Sequence, residues 1–136
     1  MEFSYVESEG GVYRPCVSVT FHNGKKKFPV GHALADTGAD FTILPLAIAH
    51  YLQIELDDTK QRTVDGAGGG KFKVIPSRNK INYSLDKEGF RSIQWEGIAY
   101  FTETEPIVLL GREQCLDKFD ITFCGPRKLI QLIPRF

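Results

Sequence analysis

Hydrophobic and polar residues alternate along most of this chain in short runs, the period of half-buried strands rather than of helices. Residues 12–22 alternate and are rich in Val, Phe and Thr, and residues 27–35 alternate again. Asn23 and Gly24 stand between them, and Asn-Gly between two alternating runs is a strong hairpin signal. Residues 41–44 read as a further strand. Pro45 then suits the first turn of a helix, where its missing N–H is not needed. Leu46, Ile48, Ala49 and Leu52 give that helix an apolar stripe, ending near Ile54. Residues 61–64 and 71–75 flank the glycines Gly66, Gly68, Gly69 and Gly70 and read as a long hairpin with a flexible tip. Strands are expected over 81–85 and 90–101, turning at 86–89. The wholly apolar run 107–110 reads as a buried strand. Residues 112–118 predict a short helix, and 121–123 pairs with 129–133 around Gly125 and Pro126. The expectation is a mainly β chain with two short helices and no repeat or linker.

Length and composition narrow this only a little. At 136 residues, one domain spanning 1–136 is expected, large enough for a core without metal or disulfide staples. Apolar residues are 42%, charged residues 25% and the formal net charge is +0, as in an ordinary soluble globular protein. Nucleic acid or an anionic membrane would want a basic excess, so neither is expected as a partner. Lys25, Lys26 and Lys27 beside the first turn read as a solvated hairpin face. Cys16, Cys115 and Cys124 are odd in number with no C-x-x-C pair, which fits unbonded thiols in a reducing compartment. The acidic start lacks a leader pattern and no apolar stretch reaches membrane-spanning length, so a cytoplasmic location is expected.

The chemistry lies in Ala33-Leu34-Ala35-Asp36-Thr37-Gly38-Ala39-Asp40. Asp and Gly make ordinary turns, and a bare D-T-G recurs by chance. Here apolar residues precede it, a second Asp follows, and Phe41-Thr42-Ile43-Leu44 returns at once to strand. A carboxylate on a tight turn between two core strands is held rigidly, as catalysis requires. Other readings fail on their spacing. The 66–71 segment lacks the glycine at 65 and the Ser or Thr at 72 of a phosphate loop. His22, His32 and His50 show no ligand spacing, so no metal site or other cofactor is expected. Cys115 has no motif of a nucleophile around it.

Taken in order, these segments resemble the retroviral aspartic proteases, the retropepsins. Arg14-Pro15 before a Val-rich strand and hairpin is similar to the family's N-terminal portion. Residues 33–44 resemble its catalytic turn, Asp65-Gly66-Ala67-Gly68-Gly69-Gly70-Lys71-Phe72 its glycine-rich flap, and Pro106-Ile107-Val108-Leu109-Leu110-Gly111-Arg112 its wall strand and hydrophobic-hydrophobic-Gly-Arg motif. The helix at 45–54, the stretch 77–100, Gly68 in place of a bulky flap-tip residue and the C-terminal hairpin 119–136 depart from the compact viral enzymes. They are closer to bacterial and archaeal single-domain members.

The resemblance implies a closed β-sheet barrel with a flap hairpin and one or two short helices, working as a C2 homodimer. It implies an aspartic endopeptidase that hydrolyses peptide bonds with Asp36 as the catalytic residue. Two carboxylates a few ångströms apart cannot both ionise easily, so they share a proton and titrate as a unit. Asp36-Thr37-Gly38 is the only D-[ST]-G in the chain, so one chain supplies half a site and a twofold dimer both halves. Thr37 would bond across the dyad to backbone of the second subunit, and Gly38 would let substrate backbone approach. Ala39, Asp40, Phe41, Ile43, Gly66, Ala67, Gly68, Ile107 and Leu109 would contact substrate, though Ile43 and Leu109 also read as simple core. Gly111 and Arg112 would buttress the site, Arg112 by pairing with Asp40 either beneath it or as a surface salt bridge. Arg14 would reach the partner subunit's Asp40. The rival readings are a non-catalytic retropepsin-fold dimer that binds peptides as a scaffold, and a peptidase restricted to one partner.

Overall fold

The computed structural model describes residues 1–66, 68–104 and 107–136. The chain begins with β1 (Glu2–Ser4), β2 (Val6–Glu7) and β3 (Tyr13–Arg14), then β4 (Cys16–Asn23) and β5 (Lys26–Ala35). After the turn that carries Asp36 come β6 (Ile43–Pro45), α1 (Leu46–Leu52), β7 (Arg62–Asp65) and β8 (Lys71–Pro76). The second half holds β9 (Ile81–Leu85), β10 (Ile93–Gly97), β11 (Tyr100–Thr102), β12 (Leu109–Leu110), β13 (Phe119–Cys124) and β14 (Leu129–Pro134). One curled nine-stranded sheet, in the order β10-β9-β4-β5-β12-β6-β11-β8-β7, makes the body. A three-stranded sheet, β1-β14-β13, gathers the two ends of the chain, and β2 pairs with β3.

The alternation read from the sequence becomes a buried face. Val17, Val19 and Phe21 of β4 point inward with Ala33 and Ala35 of β5, Tyr83 and Leu85 of β9, and Phe101 of β11. Phe3, Phe119, Ile130 and Leu132 of the terminal sheet join the same core. Helix α1 has seven residues, too few to stand alone. It is held by burying Ile48, Ala49 and Leu52, with Ile48 and Leu52 each contributing about 1.5–3 kcal/mol. Gln53, left-handed at φ 54, ends it, and Ile54 N–H closes back on the Ala49 carbonyl at 3.0 Å, a Schellman-type stop.

Four local expectations are revised. The β4–β5 turn centres on Gly24 and Lys25, because Asn23 pairs with Lys26 and Gly24 has φ 62. A left-handed first residue is what a tight II′-type hairpin demands. Asn23 instead donates its side-chain amide to the Leu52 carbonyl at 2.7 Å, tying the hairpin to the end of α1. Residues 90–101 form two strands rather than one: β10 pairs with β9, and β11 pairs with β6 and β8. At the switch, Ile98 N–H donates to Gln114 Oε1 at 2.9 Å and Ala99 N–H to Ser77 Oγ at 3.3 Å, so side chains replace the ladder. The expected helix over 112–118 is a turn followed by a short 3-10 segment, Leu116–Lys118, broken by Gln114 at φ 58. The apolar run at 107–110 narrows to β12. Among the described residues no helix is long and apolar enough to cross a membrane.

Candidate active site

The site is built where β12 enters between β5 and β6. Leu109 and Leu110 run parallel to Leu34 and Ala35, and Leu109 lies antiparallel to Ile43. This places the Leu-Leu-Gly-Arg segment directly under the turn that joins β5 to β6. Backbone bonds then lock that turn from both sides. Asp36 N–H donates to the Leu110 carbonyl at 3.0 Å, Ala35 N–H to Pro15 at 2.9 Å, and Ala39 N–H to Asp36 at 3.1 Å. From below, Arg112 N–H reaches the Ala39 carbonyl at 3.0 Å and Glu113 N–H the Asp40 carbonyl at 2.8 Å. Gly111 N–H donates to the hydroxyl of Thr42, which is fully buried, at 3.1 Å.

The Asp36 carboxylate is half-buried, and Gly38 N–H donates to its Oδ1 at 2.9 Å. The approach is close: a Cβ at Gly38 would lie 3.2 Å from the same oxygen, so the carboxylate would have to give by a few tenths of an ångström. Thr37 and Gly38 form an exposed tip. Gly111 is more tightly held. A Cβ on it would sit 2.3 Å from the Phe41 carbonyl carbon and oxygen, so the two segments touch backbone to backbone.

The remaining expected residues fall around this turn. Arg112 donates to the Asp40 carboxylate, but the side chains are 50% and 65% exposed, so in this chain the pair takes its surface form. Such a pair is worth about 0–1 kcal/mol. Arg14 lies exposed on β3, opposite Val6. Ile43 is buried and packs as core, Leu109 beside it is half-buried, Ala39 is half-buried, and Ile107 is exposed. Gly66 and Gly68 belong to the glycine tip of the β7–β8 hairpin, where Gly66 N–H bonds the Gly70 carbonyl at 2.6 Å and Gly68 has φ 90. Ala67, expected at the same tip, and Pro106, expected before the wall strand, lie outside the described residues.

Three residues of the site were not singled out by sequence reasoning. Thr42 is a polar side chain in an otherwise apolar strand run, which was the available signal. Tyr100 lies tilted against Phe41 with centroids 4.6 Å apart, and the Arg62 guanidinium lies 4.9 Å over the Phe41 ring. Both meet Phe41 only through tertiary folding and leave no local pattern. Buried beside the turn, the Cys115 thiol is pushed up to about 12 by desolvation, with Thr42 hydrogen bonding opposing. It is inert rather than nucleophilic. Among the described residues, no three His, Cys, Asp or Glu side chains are grouped to hold a metal ion.

Comparison with known proteins agrees with this geometry. The family described as aspartyl protease matches residues 17–113, and the chain belongs to that family. A crystal structure of a retropepsin-like aspartic protease from Rickettsia conorii is similar over 98% of both chains, at 18% identity and a TM-score of 0.52. That likeness establishes the mainly β, retropepsin-like fold. The EIAV protease in complex with an inhibitor aligns at 22% identity and a TM-score of 0.45, over 79% of this chain and 88% of that one. No curated protein matches the chain.

Proposed function

We propose that this aspartic protease is an endopeptidase that works as a homodimer, with one Asp36 from each subunit at a shared site. The observation that carries the reading is the single clamped turn. Asp36 is half-buried at an exposed tip, held by backbone bonds to Leu110 and Gly38, and the sequence contains no second D-[ST]-G. A twofold axis beside Thr37 and Gly38 would bring two such carboxylates together. Residues 1–136 would act as one domain, since both ends of the chain pack Phe3, Ile130 and Leu132 into the common core.

Chemistry follows from the paired carboxylates. One Asp36, ionised, takes a proton from a water held between the pair, and the water oxygen attacks the scissile carbonyl carbon. The protonated Asp36 of the pair stabilises the resulting diol, and its collapse passes a proton to the leaving amine. The β7–β8 hairpin would close over an extended peptide, with Ala39, Phe41, Leu109 and Ile107 against its side chains and Arg14 on the partner subunit's Asp40. No cofactor takes part in these steps. Three cysteines without disulfides, Cys16, Cys115 and Cys124, fit a reducing, cytoplasmic setting.

Digestion of a peptide library by wild type and Asp36→Asn, read by mass spectrometry, tests the proposal. Cleavage with an optimum at about pH 4–6, absent in Asp36→Asn, is expected from a shared-proton pair. Binding of peptides without any cleavage by wild type would favour the scaffold reading, and undiminished cleavage by Asp36→Asn would remove Asp36 from catalysis.

A further inference from the structure

Two hollows meet at the root of the β7–β8 hairpin. One, of about 430 Å³, is walled by Phe41, Arg62, Ile98, Tyr100, Glu113 and Gln114. The other, of about 550 Å³, shares Arg62, Ile98 and Tyr100 with it and adds Lys60, Arg78 and Asp57. Arg62 is therefore the charged wall common to both. Its guanidinium lies over Phe41, 4.9 Å from the ring centre, and Phe41 is in turn braced by Tyr100. A cation resting on an aromatic ring loses little further freedom when it meets an anion.

The other charges around it are already engaged or few. Arg78 faces Glu55 at 3.7 Å. Asp57 accepts the Thr59 N–H at 3.1 Å and the Thr59 hydroxyl. Among the described residues Arg62 takes part in no ion pair. With Glu55 holding Arg78, the walls of the two hollows set Lys60, Arg62 and Arg78 against Asp57, Glu113 and Glu55, an even balance. Lys60 and Arg62 are the cations of these walls that form no salt bridge among the described residues.

Its position fixes where a substrate would feel it. Arg62 pairs with Val74 and Val64 with Phe72, so alternation puts Arg62, Val64, Phe72 and Val74 on one face of the hairpin. That face turns toward Phe41, the residue that follows Asp40 in the catalytic turn. A peptide lying extended beneath the hairpin rises about 3.3 Å per residue, as β7 itself does. Arg62 lies four to five positions before the glycine tip, so it would meet a substrate side chain about three to five residues from the cleaved bond.

We propose that Arg62, on its Phe41–Tyr100 platform, is a specificity-determining residue that takes a carboxylate side chain of the peptide substrate at that distance. The inference rests on the peptidase reading above and gives it a substrate class, peptides with an acidic residue on one flank.

The test separates binding from cleavage. A random peptide library is selected on immobilised Asp36→Asn protein and on the Asp36→Asn/Arg62→Gln double variant, and the same library is digested by wild type and by Arg62→Gln. Asp and Glu should be enriched about three- to tenfold at one flanking position on the first protein and lose that enrichment on the second. In digestion, the Glu-over-Gln preference in kcat/KM at that position should arise in KM and shrink with added salt. It should be partly kept by Arg62→Lys and should turn toward Lys in Arg62→Glu. No acidic enrichment, or the same enrichment in the double variant, overturns the assignment. Acidic enrichment that depends on Arg62, in a wild type that cuts nothing, would keep the subsite and overturn the peptidase reading instead.

Discussion

Replacing Gly111 by Ala puts one methyl group where two backbone segments touch. The new Cβ would lie 2.3 Å from the carbonyl carbon and oxygen of Phe41 and 2.8 Å from its Cα, against about 3.5 Å for an unstrained contact. The atoms it meets are backbone, so no rotamer change relieves the clash. Either the Leu-Leu-Gly-Arg segment or the Asp36 turn must retreat by roughly 1 Å. That shift stretches the 3.1 Å bond from Gly111 N–H to the buried Thr42 hydroxyl and the 3.0 Å bond from Asp36 N–H to Leu110. Overpacking of this kind costs about 1–3 kcal/mol, and a weakened buried hydrogen bond adds about 1–2 kcal/mol. The sum, about 2–5 kcal/mol, should lower the melting temperature by about 7–17 °C in a chain of this size. Peptidase activity should fall further, by about 100-fold, because a displacement near 1 Å moves the carboxylate out of line. Gly31→Ala is the control, since a Cβ there meets nothing within 4 Å. Circular-dichroism melts and peptide turnover on both variants give the answer. If Gly111→Ala melts within about 2 °C of wild type and keeps its turnover, the two segments are not in the contact described.

Three further outcomes follow from individual side chains. Arg112→Ala should cost no more than about 1 kcal/mol in the single chain, because its pair with Asp40 is exposed; a loss several times larger in a demonstrable monomer would mean the pair is sheltered after all. At Asp86, burial disfavours the carboxylate, but hydroxyls of Ser92, Ser84 and Thr20 and the nearby His22 outweigh it and hold it below the ordinary range. A depressed folded value gives stability that is present above the unfolded carboxylate pKa of about 3.9 and lost as pH falls through the folded value. Wild type should therefore melt above Asp86→Asn at pH 7, with the gap beginning to close below about pH 5 and closing fully only below the depressed folded value, and a gap that does not change with pH would contradict this. With Cys115 buried and pushed up to about 12 and Cys16 also raised by burial against the pull of Arg14, iodoacetamide at about pH 8 should label native protein mainly at half-buried Cys124. Rapid labelling of Cys115 by intact-mass and peptide mapping would show that its pocket opens.

Much of this fold could be read in the chain because its strands alternate and its turns carry glycine. β4 and β5 were legible from Val17, Val19 and Phe21 on one face, and the β7–β8 hairpin from its glycine tip. β1 was not, since three residues with one inward side chain, Phe3, have no period, and their partner in β14 lies at the far end of the sequence. The break between β10 and β11 was hidden for another reason. Gly97 must admit the Gln114 carbonyl, 2.7 Å from where its Cβ would be, and Gln114 then takes over the next N–H. That exchange depends on a contact between distant residues. Asp36 was legible because its turn is local, with the residues that clamp it in a motif of their own. Arg62 and Tyr100 were not, since only the closed sheet brings them onto Phe41.

The central claim is that two Asp36 carboxylates, one from each of two chains, make one active site. Co-refolding a fixed amount of wild type with increasing Asp36→Asn tests it directly, because subunits then pair at random. Turnover per wild-type subunit should fall to about half in an equal mixture and to about a tenth at ninefold excess of the variant, as a site needing both carboxylates requires. Turnover that stays constant through the whole titration, in mixtures shown to contain mixed dimers, would mean that one chain carries a complete site.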